Sequence, residues 1–266
     1  MSRTQNESSH EPVSVPEGRR PPLRFDMAAY EAQLRRLLDG RRTFVSFDEI
    51  DANAETAVEG VDEDVVLLRH DVSISLSRAL VMARLEATLR VRSTYCVLVD
   101  SPFFDGTLSD TVRTIRTMSH LGHDIGLLFD PHRHWTVEPD EAAVRTEIDA
   151  ERDVLERLVG EPVGVVSFHD PPEWVRDLTL PNVRNADGST FGEPQFERHE
   201  DRDWRGARPL DEAVSNRLHL GIHPGLWRPY DTTEADILDG SLRTAHERIE
   251  SHLETYQNHN GTHECV

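Results

Sequence analysis

The sequence contains no lysine, so arginine supplies all 29 of its basic side chains. Against them stand 49 acidic residues, which give a formal net charge of −20 at pH 7. Proteins bind nucleic acids mainly through basic surface patches, so this excess of acidic residues argues against a nucleic-acid partner. A surface this acidic repels itself unless salt screens the charge. The excess of acid and the absence of lysine together favour a halophilic source over an acidic mesophilic protein from an arginine-biased genome.

Cysteine is scarce, and long apolar runs are missing. Cys96 lies inside a predicted strand and Cys265 at the tail, and two cysteines this far apart predict neither a disulfide framework nor a zinc knuckle. No window reaches the ~18 apolar residues of a membrane span, and the N-terminus has no apolar secretory core. We therefore expect a soluble, cytoplasmic protein with no membrane span.

The chain divides into three parts by composition. Residues 1–22 are rich in Ser, Glu, Pro and Arg and predict a disordered arm, and residues 258–266 predict a flexible tail. Residues 23–257 predict a single domain in which strands alternate with helices. The predicted strands lie near residues 65–70, 93–99, 123–128, 163–168 and 218–222, and the predicted helices near 75–89, 108–120, 139–159 and 233–257. This alternation indicates an α/β fold with a mainly parallel sheet, and residues 171–216 indicate loops and short strands over the site.

Titratable side chains follow four of the predicted strands, where α/β folds place their chemistry. These clusters are residues 70–73 (His-Asp-Val-Ser), 130–132 (Asp-Pro-His), 167–172 (Ser-Phe-His-Asp-Pro-Pro) and 220–227, which include His223 and Trp227. Histidine beside a carboxylate suits metal binding or acid–base work. With 14 histidines in the chain, a buried structural role is the alternative for each one alone. Their shared position after successive strands favours function for Asp71, His132 and His223.

The order of these segments resembles the polysaccharide deacetylase superfamily (carbohydrate esterase family 4). Residues 93–96 (Ser-Thr-Tyr-Cys) resemble the Ala-Thr-Phe-Phe-like strand of that family. Residues 122–126 (Gly-His-Asp-Ile-Gly) resemble its Gly-His-Glu-Ile-Gly segment, and residues 222–224 (Ile-His-Pro) resemble its Leu-x-His-Pro-like strand. The similarity runs from about residue 65 to residue 227, which is most of the predicted domain.

The resemblance implies a distorted (β/α)7-type barrel and hydrolysis of a carbon–nitrogen, non-peptide amide bond, such as an N-acetyl group on an amino sugar. It also implies a divalent, zinc-like metal that polarises the amide carbonyl and activates water. Carried over by position, Asp71 matches the catalytic base, His132 a metal ligand, and His223 the general acid.

Two positions depart from the family pattern and put the metal in doubt. Ser73 stands where many relatives have a metal-binding aspartate, and Leu128 stands where the first metal histidine belongs. A leucine cannot ligate a cation, and catalytic zinc sites ordinarily have three protein ligands. A substitute metal site could form from Asp71, Asp130 and His132, with His70 as another candidate ligand.

Three functions therefore remain open from the sequence. The first is a deacetylase-like hydrolase acting on a carbohydrate or small amide, with a divalent metal or with none. The second is a catalytically inactive protein of the same fold that binds carbohydrate. The third is a metal-independent hydrolase that uses Asp71 and His223 as an acid–base pair. In each case His70, His169 and Trp227 are the predicted substrate contacts, the tryptophan as a face on which a sugar ring stacks.

Overall fold

The computed structural model describes residues 25–50, 64–104, 108–204, 215–228 and 233–261. The predicted arm, residues 1–22, lies outside these ranges, and so do residues 262–266 of the predicted tail. Residues 258–261 of that tail belong to the last helix. Among the described helices, none combines the length and the apolar character that a bilayer crossing requires.

Eight strands and five α-helices make up the described part of the chain. The strands are β1 Thr43–Val45, β2 Val65–Val72, β3 Thr94–Val97, β4 Asp124–Phe129, β5 Val165–Phe168, β6 Arg184–Asn185, β7 Glu197–Glu200 and β8 Arg217–Ile222. The helices are α1 Met27–Asp39, α2 Leu76–Leu89, α3 Leu108–His120, α4 Glu141–Val159 and α5 Glu234–Gly261. These elements confirm the predicted α/β alternation, and the bounds of α3 agree with the predicted residues 108–120.

All the strands pair in parallel. Seven of them lie in the order β6-β5-β4-β3-β2-β8-β7, and β1 pairs with the first half of β2. No ladder joins β6 to β7 within the described ranges, so the sheet forms an open, distorted barrel. Consecutive parallel strands require crossover helices, and α2, α3 and α4 supply them between β2 and β5.

Polar caps fix where the helices begin. Asp26 accepts a hydrogen bond from the Ala29 backbone N–H at 2.9 Å, which satisfies one of the donors left open at the start of α1. Ser75 caps α2 and Asp140 caps α4 in the same way. Gly160 ends α4 with φ of 90°, a conformation that glycine adopts without a steric penalty.

Strand β2 runs through the middle of the sheet and is buried at all eight positions. Side chains alternate between the two faces of a strand. Leu67 therefore packs inside the barrel with Cys96 and Leu128, whereas Leu68 packs outside against Tyr30 and other residues of the helical layer. By the same alternation, Arg69 and Asp71 follow Leu67 into the barrel, and His70 follows Leu68 out of it.

The last helix is only partly packed against the barrel. Ile237 is buried, but Leu242, Ile249 and Leu253, which recur at helical spacing, are each more than half exposed. The apolar period of this helix therefore does not mark a fully buried side.

Candidate active site

A buried arginine lies at the centre of the carboxyl end of the barrel. The Arg69 side chain is 2% exposed and binds both carboxylate oxygens of Asp71, from Nε to Oδ1 at 2.9 Å and from Nη2 to Oδ2 at 2.9 Å. Nη2 also donates to Glu200 at 3.0 Å, and Nη1 donates to Asp187 at 3.2 Å. Three carboxylates from separate segments therefore converge on one guanidinium group.

His219 on β8 completes this shell as a neutral acceptor. Its Nδ1 donates to the Phe191 carbonyl at 2.8 Å, so its Nε2 carries no proton and accepts from Arg69 Nη1 at 3.3 Å. Burial lowers the pKa of His219 to about 3, and the positive charges of Arg69 and Arg198 act in the same direction. A neutral imidazole is therefore the stable form at this position.

Arg198 on β7 forms the outer side of the cluster. It contacts Asp187 through Nη2, and its Nε donates to Glu200 at 3.2 Å. Burial alone would raise the pKa values of Asp187 and Glu200, but the charges of Arg69 and Arg198 outweigh burial and lower both. These carboxylates are therefore ionised at neutral pH.

His223 is held beside this cluster by a fully buried aspartate. Asp201 accepts from the His223 backbone N–H at 2.8 Å, from the His223 Nδ1 at 2.6 Å and from the Trp227 Nε1 at 2.7 Å. Burial would lower the pKa of His223, but the hydrogen bond to Asp201 and the charges of Asp201 and Asp71 raise it above its usual value. The imidazole therefore favours its protonated form and has Nε2 left for the cleft.

The structure brings Asp71 and His223 together, as the sequence predicts. Ligand-type atoms of Asp71, Glu200 and His223 all lie within 4.8 Å of one another. They line an open cleft of about 270 Å³ together with His169, Arg198 and Arg202. This volume is at the lower end for ligand sites and suits a ligand the size of one sugar ring or a small amide.

A larger cavity, of about 760 Å³, lies near the amino ends of β5 and β6 and is lined by Gly164, Arg184 and Phe191 among others. It contains none of the residues that the sequence analysis selected. Ligands of parallel α/β sheets bind outside the carboxyl ends of the strands. We therefore take the smaller cleft as the active-site candidate.

Two predicted substrate contacts are corrected by their burial. His70 is 0% exposed and points out of the barrel, where its Nε2 lies 2.9 Å from Glu86 on α2 and its ring stacks on Tyr95. Trp227 is 0% exposed and packs against Phe25 and Tyr30. Neither side chain lines the cleft, whereas His169, the third predicted contact, does.

The predicted substitute metal ligands are corrected as well. Asp130 accepts a hydrogen bond from the backbone N–H of His132, and its other oxygen lies 3.2 Å from Arg133. The His132 side chain is exposed, and its Nε2 lies 2.9 Å from the Asp170 carbonyl. Within the described residues, Glu200 rather than Asp130 or His132 joins Asp71 and His223. Pro131 starts the short 3-10 turn that contains His132, whose side chain contacts the Asp170 carbonyl.

The two positions that depart from the family pattern are both buried. Leu128 lies in the apolar interior of the barrel. Ser73 is 9% exposed, and its backbone carbonyl accepts a hydrogen bond from Ser101.

The residues at this site do not fit the divalent metal that the resemblance implies. Both oxygens of Asp71 already bind Arg69, and Glu200 binds Arg69 and Arg198. A metal ion would have to bind these oxygens directly beside a fixed guanidinium cation. Positive charges this close repel strongly where water is excluded.

Sequence reasoning missed six residues of this cluster: Arg69, Asp187, Arg198, Glu200, Asp201 and His219. Arg69 could have been found, because a period of two places it on the same face of β2 as Asp71. Four of the others come from residues 171–216, where the polar composition predicted loops and short strands.

Comparisons with known proteins gave matches among solved structures. No family model and no curated protein matches the sequence. A solved structure of a CE4 family pseudoenzyme from Bacillus anthracis matches at 10% identity and a TM-score of 0.42, over 70% of this chain and 62% of that one. The chain therefore spans less than two thirds of that protein.

Two further solved structures have similar scores. A family 4 carbohydrate esterase from Streptomyces lividans, in complex with acetate, is 15% identical with a TM-score of 0.40, over 68% of this chain and 85% of that one. A peptidoglycan deacetylase from Bacillus subtilis is 12% identical with a TM-score of 0.41, over 74% and 98%.

Proposed function

We propose that this protein is a hydrolase of a carbon–nitrogen, non-peptide amide bond, such as an N-acetyl group on an amino sugar, and that it acts without a metal ion. The observation that supports this most strongly is the position of His223. Asp201 orients its ring, and the carboxylates of Asp71 and Glu200 face it across a small cleft.

His223 would act as the general acid. The hydrogen bond to Asp201 and the charges of Asp201 and Asp71 raise the pKa of His223, which favours protonation of the imidazole, and Nε2 is the ring atom that Asp201 does not engage. Amide cleavage requires a proton on the departing nitrogen, because an amide anion is a very poor leaving group. A positioned acid of this kind contributes about 10²–10⁴-fold to the rate.

Asp71 would act as the general base. An ionised carboxylate has about four lone-pair sites, of which Arg69 uses two, so Asp71 can still accept a proton from water. Water oxygen then bonds to the carbonyl carbon, the carbon–nitrogen bond breaks, and the nitrogen takes its proton from His223. Arg198 and Arg202 line the same cleft and supply positive charge for the developing oxyanion.

The test is release of acetate from N-acetylglucosamine and short chitooligosaccharides, followed by proton NMR in a chelating buffer. We expect wild-type protein to release acetate and His223→Gln and Asp71→Asn each to lose about 100-fold or more. His246→Gln is the matched control, because His246 is an exposed histidine on α5. Equal activity in His223→Gln and wild type would contradict the proposal.

A second candidate is a protein of this fold that binds carbohydrate and has no hydrolytic activity. The observation in its favour is the two-point contact between Arg69 and Asp71, since it engages both oxygens of the carboxylate that hydrolysis would use as a base. Saturation-transfer NMR with the same sugars distinguishes the two. Binding without acetate release, abolished by Arg202→Ala, would support the second candidate.

A further inference from the structure

We infer that Arg69 is the resident cation of this site: its guanidinium occupies the place of a divalent ion among the carboxylates and keeps divalent ions out. Removing the positive charge of Arg69 should therefore convert the same residues into a divalent-cation site. The inference rests on the geometry of the cluster and holds whether or not the cleft hydrolyses amides.

The hydrogen-bonding capacity of Arg69 is fully used. A guanidinium group has five N–H donors in a rigid plane. The structure supplies five acceptor atoms: two from Asp71 and one each from Asp187, Glu200 and His219. A buried cation that has a protein acceptor for every one of its donors is fixed in position by those contacts.

The acceptors around Arg69 are also the kinds of atom that bind metals. Carboxylate oxygens and neutral imidazole nitrogens are the ligands of zinc and manganese in proteins. They come from four separate segments, since Asp71 lies on β2, Asp187 after β6, Glu200 on β7 and His219 on β8. One central cation therefore joins four parts of the barrel, as a structural metal does.

Charge explains why a cation is required at this place. Asp71, Asp187 and Glu200 carry three negative charges, and Arg198 alone would neutralise one of them. Burying unpaired carboxylates is unfavourable, so a cluster without Arg69 must take up another cation or protons. The ligand atoms of Asp71, Glu200 and His223 already lie within 4.8 Å of one another.

A glycine on the neighbouring strand keeps Glu200 in position. Gly221 on β8 pairs with Glu200 on β7, and a Cβ at Gly221 would lie 2.0 Å from Glu200 Oε2. The missing side chain leaves room for the Glu200 carboxylate inside the barrel. This arrangement is specific to Glu200 and shows that the position of its carboxylate is built into the sheet.

Cobalt(II) is the probe for the test, because its visible absorption reports on coordination geometry. The chelator-treated wild type, Arg69→Ala, Arg69→Lys and Arg198→Ala are each titrated with Co²⁺. We expect Arg69→Ala to bind one ion at least about 100-fold more tightly than wild type, with a new absorption band. Arg69→Lys retains the charge and Arg198→Ala retains Arg69, so neither should gain a Co²⁺ site.

Thermal unfolding with Co²⁺ or EDTA gives an independent readout that needs no activity. Neither Co²⁺ nor EDTA should change the unfolding midpoint of the wild type, whereas Co²⁺ should raise the unfolding midpoint of Arg69→Ala. Stoichiometric, tight Co²⁺ binding by wild type would overturn the inference. So would an Arg69→Ala chain that folds and binds no metal, or one that stays unfolded at every Co²⁺ concentration. Loss of acetate release with these metal results unchanged would count against the proposed hydrolysis alone.

Discussion

Glu86 offers a prediction whose magnitude follows from the structure. It is completely buried on α2, behind the strand that carries the active-site residues. Its carboxylate accepts hydrogen bonds from Tyr30 at 2.5 Å, Ser93 at 2.6 Å and Tyr95 at 3.0 Å, and His70 lies 2.9 Å away. By holding His70 on the outer face of β2, this contact helps to keep Asp71 on the inner face.

The pH dependence of this interaction has a definite sign. Burial alone would raise the pKa of Glu86, but the charge of His70 and the surrounding hydrogen bonds outweigh it and lower the pKa from 4.5 to about 2. At about 1.4 kcal/mol per pKa unit, Glu86 contributes about 3 kcal/mol to stability near neutral pH. Because its folded-state pKa lies below the unfolded one, this contribution is present above pH 4.5 and is lost as the pH falls toward 2.

The perturbation is Glu86→Gln, and the assay is urea unfolding followed by circular dichroism at several pH values. We expect the variant to be less stable by about 3 kcal/mol at pH 7, and we expect the difference to shrink to about 1 kcal/mol at pH 2.5. Glu247→Gln, which changes an exposed glutamate on α5, is the control and should leave stability unchanged. A stability difference that stays constant between pH 7 and pH 2.5 would refute the reasoning.

Three further predictions concern the site and the surface. Asp201→Asn removes the charge that raises the pKa of His223. Amide hydrolysis should therefore fall about 100-fold, and the alkaline limb of the pH–rate profile should move to lower pH. An alkaline limb that stays at the wild-type pH would contradict this role. Gly221→Ala forces Glu200 away from Arg69 and should lower the unfolding free energy by about 1–3 kcal/mol in urea; unchanged stability would show that Glu200 is not held there. The net charge of −20 predicts a higher thermal midpoint in 2 M than in 0.1 M potassium chloride; a lower midpoint would argue against salt adaptation.

The elements with a clear hydrophobic period could be predicted from the sequence. Strand β2 and helix α3 lie where their patterns place them, since burial of one face determines both the pattern and the structure. Strand β7 could not be recognised, because its sequence, Glu-Arg-His-Glu, contains no apolar residue. It is a strand because its backbone pairs with β8 and its charged side chains find partners in the barrel.

The site was predictable only in part, for a related reason. Asp71 and His223 could be placed because each follows an apolar run. The partners of Arg69 come from segments far apart in sequence, and no local pattern records that they meet. The assignment of His70 was wrong because adjacency to Asp71 was given more weight than the alternation of β2, which places the two side chains on opposite faces.

In the proposed site, the guanidinium group of Arg69 occupies the position of a metal ion. The most direct test is the rate of acetate release by exhaustively chelated protein, compared with the rate after equimolar Zn²⁺ or Co²⁺ is added back. We predict acetate release in the chelated protein and no stimulation by either metal. Activity that appears only after metal is returned would contradict the account.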